Sequence, residues 1–239
     1  MACDVNDNLE KRIVETARAI FIKRGYADAS MSDIAEAAGI KRSTLHYYFR
    51  TKDRLFQEIF ADIVREIFPR LQVILEDNAP FMERLNAVID EYLALFRTNP
   101  ALPFFIVGEI NRDAKHLIGV MYELGVEGYI HTVKRRLVEE IRRGELRRVP
   151  LREFFMTFYS MVIFPTLMRN IVESIMLKEG EDYEDFRRVW KRRVLMQTGS
   201  LLLNTNDRAE VERIVDATLS RAAAKGTTVR RNGSGKEGQ

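Results

Sequence analysis

Apolar residues recur at helical spacing through nearly the whole chain. Leu9, Ile13, Ala17, Ile20 and Phe21 form a first stripe, with Lys11, Arg12, Arg18 and Lys23 on the other faces. Residues 1–8 before it are polar and are read as disordered, and Gly25-Tyr26 is read as the end of that helix. Leu55, Ile59, Phe60, Ile63, Val64 and Ile67 make a later stripe that Pro69 should end or bend. From Pro80 onward amphipathic or fully apolar segments follow one another at 81–97, 102–112, 116–143, 150–177, 182–203 and 207–223. No run alternates with period two between hairpin turn signals, so the expected class is all-α, with nine or ten helices.

One stretch, Ser30 to Lys52, carries denser local signals than the rest. Ser30 is a good N-cap, and Asp33 three residues on completes a capping box. Ile34, Ala35 and Ala38 give a short helix an apolar face, Gly39 supplies the left-handed stop, and Ile40, Leu45 and Phe49 return to the core. Small residue, turn glycine and two apolar residues in that order are the pattern of a helix-turn-helix. The outward positions of the second helix are Lys41, Arg42, Ser43, Thr44, His46, Tyr47 and Tyr48. Cations, hydroxyls and hydrogen-bonding aromatics of this kind suit a DNA surface. Residues 40–54 hold Lys41, Arg42, Arg50, Lys52 and Arg54 against Asp53 alone.

The segment from Leu9 to Phe68 resembles the N-terminal domain of a TetR-family transcriptional regulator. The resemblance rests on Ala17, Phe21, Gly25 and Tyr26; on Ser30, Asp33-Ile34-Ala35 and Ala38-Gly39-Ile40; and on the run Thr44-Leu45-His46-Tyr47-Tyr48-Phe49 followed by Lys52 and Leu55. Ser43 and His46 depart from the glycine and tyrosine frequent there, yet both keep a hydrogen-bonding group toward the groove. The resemblance implies a three-helix DNA-binding domain at 8–68 whose fourth helix links it, as a lever, to a helical effector-binding and dimerisation domain at 69–224. By it and by side-chain chemistry, Lys41, Arg42, Thr44 and His46 are assigned to base edges, and Ser30, Tyr47, Tyr48 and Lys52 to phosphates. The implied partners are a double-stranded DNA operator, an unidentified small-molecule effector and a second copy of the chain; control by a protein partner instead of a ligand stays open.

Composition refines this picture in three places. The net charge is +3, but 221–239 holds Arg221, Lys225, Arg230, Arg231 and Lys236 against Glu237, so the rest is slightly acidic and the basic signal is local. Residues 225–239 are read as a disordered basic tail. The single cysteine, Cys3, allows no internal disulfide, which fits a reducing cytoplasm, and no apolar run of membrane-spanning length is present.

Two regions of the second half invite further reading. The first, 102–130, combines Phe104, Phe105, Glu109, Tyr122 and Tyr129 with Gly108, Gly119, Gly125 and Gly128 inside helical pattern. Glycine costs about 1 kcal/mol in a helix interior, and space for a ligand is one reason to accept it. Phe155, Tyr159 and Phe164 are added to this candidate effector cavity. The second region, 151–177 with 183–203, is too apolar on too many faces for a small domain, and a homodimer interface would bury the surplus. No catalytic constellation is found: His46, His116 and His131 lack metal-ligand spacing, and nucleotide-binding and nucleophile motifs are missing. No enzyme activity, metal or cofactor is expected.

Overall fold

The structure, a computed structural model, describes the backbone of residues 2–233; the side chains of 2–7, 25, 27, 109 and 225–233 lie outside the described residues. The described residues are all-α: eleven α-helices and one π-helix, slightly more than the sequence suggests. They are α1 (Ala2–Asp28), α2 (Met31–Ala37), α3 (Arg42–Tyr48), α4 (Lys52–Glu76), α5 (Phe81–Thr98), α6 (Leu102–Glu123), α7 (Val126–Arg142), α8 (Leu151–Leu167), α9 (Arg169–Ile171), a π-helix (Val172–Met176), α10 (Tyr183–Leu202) and α11 (Arg208–Gly233).

Several boundaries differ from the sequence reading for physical reasons. α1 begins at Ala2 and runs past Gly25-Tyr26 to Asp28. α4 continues through Pro69. The expected helix at 116–143 is broken, because Gly125 takes a φ of +78° and separates α6 from α7. The expected break between 112 and 116 is present as non-helical dihedrals at Asp113 inside α6. The backbone stays helical to Gly233, beyond the point where a tail was read, and 234–239 lie outside the described residues.

The chain forms two compact units, neither of which matches a simple cut at residue 69. The first comprises Met1–Arg70 with Ala94–Tyr129. Its core holds Ile13, Ala17, Phe21, Ile34, Leu45, Leu55 and Ile63, all nearly inaccessible. An aromatic cluster explains why α6 joins the N-terminal helices. Phe105 of α6 stacks on Phe56 of α4 at 4.2 Å between ring centres, and Phe56 meets Phe21 and Tyr26 at 5.1 Å.

The second unit comprises Leu71–Leu93 with Ile130–Gln239. Here α10 packs on α8 and α11, and Val162, Val194, Leu195, Val211 and Val215 fill the core. Asp182 caps α10 through a capping box with Asp185. No single helix among the described residues is long and apolar enough to cross a membrane; α8 and the segment Arg169–Met176 would qualify only together, and they are bent by 60°.

Arg84 and Glu140 form a buried ion pair in the second unit. Burial pushes the Arg84 guanidinium down to about 10, and the like charges of Arg136 and Arg143 add to the shift. Arg136 Nε donates to the Leu75 carbonyl at 2.9 Å, and Arg84 reaches the same oxygen and that of Asp77 at 3.4 Å. Two guanidinium groups thus satisfy carbonyls at the C-terminus of α4, where the helix dipole also favours cations. Since a desolvated charge left alone is costly, Glu140→Ala is expected to lower the unfolding free energy by roughly 3–5 kcal/mol, read as a lower urea midpoint. Arg84→Met combined with Glu140→Leu should recover most of the loss; equal instability of single and double variants would exclude the pair as the cause.

Candidate nucleic-acid interface

The turn between α2 and α3 is set by backbone bonds that the sequence dictates. Ser30 Oγ accepts from the Asp33 N–H at 3.1 Å, and the Asp33 carboxylate accepts from the Ser30 N–H at 3.0 Å. At the other end of α2 the Ile40 N–H donates to Ala35 and the Gly39 N–H to Glu36, each at 3.0 Å. Those two bonds form a Schellman closure, which needs a left-handed residue, and Gly39 has φ +65°. Leu45 is the one fully inserted residue of α3, and Phe49 anchors its exit.

With Leu45 inside, the remaining α3 positions are presented outward. Arg42, Ser43, His46 and Tyr47 are exposed and share one face at i, i+1, i+4 and i+5, with Lys41 at the N-cap and Thr44 and Tyr48 half-buried beside them. Tyr47 is 79% exposed and meets Tyr48 edge-on at 5.3 Å between ring centres. The side chains of Lys41, Arg42, Ser43 and His46 have no hydrogen-bond or ion-pair partner among the described residues. Such a face is chemically uncommitted and suited to phosphates and base edges.

Ser30 and Lys52, assigned to phosphates from sequence, carry folding roles in the structure. The Ser30 hydroxyl donates to Asp33 at 2.5 Å. Lys52 Nζ donates to the carbonyls of Tyr26 at 2.7 Å and Ala29 at 3.0 Å and lies 4.5 Å from the centre of the Tyr26 ring. The contacts around it escaped the sequence reading. The Tyr26 hydroxyl donates to Asp53 Oδ1, and Arg112 of α6 pairs with Asp53 Oδ2 at 2.9 Å. One turn on, Gln57 Nε2 meets His116 Nε2 at 3.0 Å. These partners are distant in sequence and obey no short motif; an acid following the helix-opening lysine was the only local signal.

The candidate effector residues are divided between the two units. Phe105 and Tyr129 are buried in the first unit, Phe105 in the aromatic cluster and Tyr129 against Phe68 at 5.1 Å. Phe104 and Tyr122 are 53% and 57% exposed. Glu109 lies outside the described side chains. Phe155, Tyr159 and Phe164 belong to the second unit, where Tyr159 shares a hydroxyl hydrogen bond with Tyr92 at 2.9 Å. A Cβ added at Gly108, Gly119, Gly125 or Gly128 meets nothing within 4 Å, so close helix contact does not account for these glycines. Of the described residues, no group of three or more His, Cys, Asp or Glu could hold a metal.

Comparison with known proteins agrees with this geometry. Residues 13–59 match the sequence model of a family described as "Bacterial regulatory proteins, tetR family". The Fatty acid metabolism regulator protein of Bacillus subtilis is 24% identical over 136 residues, 57% of this chain and 70% of that protein. The HTH-type transcriptional repressor KstR2 of Mycobacterium tuberculosis is 30% identical over 76 residues, 32% of this chain and 38% of that protein. The solved structure of the ketosteroid regulator KstR2 from Mycobacterium tuberculosis shares the fold, with a TM-score of 0.59 and 17% identity over 82% of this chain and 95% of that one.

Two outcomes follow from the geometry. Lys52→Met should cost about 2 kcal/mol of stability, the scale of a charged hydrogen bond lost from half-buried carbonyls, and a melting temperature equal to that of the parent chain would rule this out. The Asp33 carboxyl is held below 3.8 chiefly by the Ser30 hydroxyl and backbone, then by Arg24. Its folded value is depressed, so its contribution is present above 3.8 and is lost as pH falls through the folded value. Ser30→Ala should move the Asp33 midpoint back up toward 3.8, read by carboxyl-carbon NMR titration; an unmoved midpoint would exclude the capping box as the cause.

Proposed function

We propose that this chain, whose residues 13–59 match the tetR-family model, is a DNA-binding transcriptional regulator of that family, and more finely a homodimeric repressor released from a palindromic operator by a small apolar or amphipathic effector. The exposed, unpaired side-chain face of α3 carries this reading. In the proposed complex Lys41, Arg42, Thr44 and His46 reach base edges in the major groove, and Tyr47 and Tyr48 contact phosphates. A two-fold dimer places its half-sites about 34 Å apart or somewhat more.

Pairing is supported by apolar surface on the helices expected to dimerise. Met156 and Phe164 of α8, Ile175 and Met176 of the π-helix and Val189 of α10 are all exposed. Burying such side chains against a second copy contributes on the order of 25 cal/mol per Å² of apolar surface. The names of the relatives favour repression and an apolar or amphipathic effector, since one is called a repressor and the other a fatty acid metabolism regulator. Gly108 and Gly125 are exposed, with nothing within 4 Å of an added Cβ, so they favour neither a ligand nor a protein partner. Within the first unit, α6 bonds the first turns of α4 through Arg112–Asp53 and His116–Gln57, so a change in α6 is felt beside Lys52. An effector that prefers the non-binding arrangement must weaken DNA binding by the same coupling factor, typically 5- to 150-fold.

The test is a fluorescence-polarisation titration against the chain's own upstream intergenic DNA at several salt concentrations. Saturable binding of two chains per site, resistant to random DNA, is expected. Lys41→Ala and Arg42→Ala should each weaken it, and where the lost contact is a phosphate the slope of log K against log salt flattens by about one. If neither variant changes affinity or slope on any DNA that the parent chain binds, α3 is not the reading helix.

A further inference from the structure

The second unit holds a cavity of about 330 Å³ at the C-terminal half of α7 and the start of α8. That volume falls at the lower end of small-ligand sites, roughly 300–1,000 Å³. Leu137, Ile141, Leu146, Phe154 and Leu202 supply apolar walls, and all but Ile141 are themselves buried. Every charged side chain in the lining is a cation: Lys134, Arg147 and Arg148, with no carboxylate among them. None of the aromatic positions suggested from sequence for an effector lines it apart from the neighbour of one, Phe154 beside Phe155.

The three cations differ in a useful way. Arg147 is pinned by backbone: its Nε donates to the Leu203 carbonyl at 2.8 Å, and its Nη2 to the Thr205 carbonyl and to Asn206 Oδ1. Those partners orient the guanidinium without neutralising its charge. Lys134 and Arg148 are exposed and have no hydrogen-bond or ion-pair partner among the described residues. Elsewhere in this unit an arginine beside a cavity is neutralised. Arg84 lines a second cavity of about 270 Å³ while paired to Glu140, and that lining also carries Asp77, Glu83 and Asp90.

A neutral apolar guest would gain nothing from three cations, and a cationic guest would be repelled by them. A small inorganic anion would leave the walls wet. A guest that uses both features has an alkyl body and one negative head group. We propose that this cavity binds an amphipathic anion, its chain against Leu137, Leu146, Phe154 and Leu202 and its head at Lys134 and Arg148, beside the fixed charge of Arg147. This binding does not depend on the reading of α3, and its test contains no DNA.

The probe is decanoate below its micelle-forming concentration, titrated by calorimetry into the full chain, with decyltrimethylammonium as the opposite-charge control. Saturable binding of one decanoate per chain is expected, with the ammonium compound at least tenfold weaker. Lys134→Glu with Arg148→Glu should weaken decanoate at least tenfold and narrow the gap between the two probes. Val138→Trp, at an exposed wall position, should fill the space and abolish binding while leaving the circular dichroism unchanged. Equal affinity for both probes overturns the proposal, as does decanoate binding that both variants leave intact. It is equally overturned by absence of saturable decanoate binding, and a changed mass of Val138→Trp in light scattering would then assign the cavity to contact between copies.

Discussion

The Lys52 ammonium, set between the carbonyls of Tyr26 and Ala29 and the Tyr26 ring, is the contact on which the helix-turn-helix end of the chain depends. The carbonyls lie where α1 ends and the chain turns toward α2, and the lysine opens α4. One side chain therefore holds the exit of α1, the entry of α2 and the start of α4 together. Tyr26 extends the junction by donating to Asp53, and Asp53 extends it again to Arg112 of α6. Unmade, each polar group in this half-buried chain would cost more than the bond contributes when made. The position of α3 follows, because Leu45 and Phe49 can fill the space left by α1 and α4 only once those helices are fixed.

This junction also changes what a basic residue near DNA means. A lysine at the start of α4 looks from sequence like a phosphate contact, and its charge does add to the local positive potential. Its hydrogen bonds, however, are made inside the protein. The side chains left uncommitted are those on α3, at Lys41, Arg42, Ser43 and His46. In the proposed complex, affinity for the duplex and stability of the domain thus draw on adjacent but separate residues.

Much of this end of the molecule was legible because its signals are local. A capping box spans Ser30 to Asp33, a Schellman turn spans Ala35 to Ile40, and helical periodicity places Leu45 and Phe49 inward. Contacts over long separations were not legible. Phe105 reads as a possible cavity wall from its neighbours, yet it fills an aromatic cluster formed with Phe56 and Tyr26. The same holds for the pairing of Arg84 with Glu140, 56 positions apart, and for the cations around the α7–α8 cavity, which are separated in sequence by a turn. The helix end misjudged at Gly25-Tyr26 has a related cause, and so does the continuation of α4 through Pro69. Propensity disfavours helix there, and tertiary packing overrides it.

A common logic links the α3 face and the α7–α8 cavity. Arginine is abundant here, and most of its structural uses are visible as closed accounts of charge or hydrogen bonding. Arg24 meets Asp33, Arg192 meets Glu212 and Asp216, Arg221 meets Glu83, and Arg136 caps α4 carbonyls. A lone exposed cation carries no message, since water solvates it at little cost. A group of uncommitted cations beside hydrogen-bonding aromatics, or around an apolar hollow, is different. Like charges held together raise the local potential at the expense of the folded state, and an anion relieves that repulsion. On α3 the proposed anion is a duplex backbone; at the hollow the proposed one brings its own apolar surface. The same electrostatic preference is thereby made selective by what surrounds it.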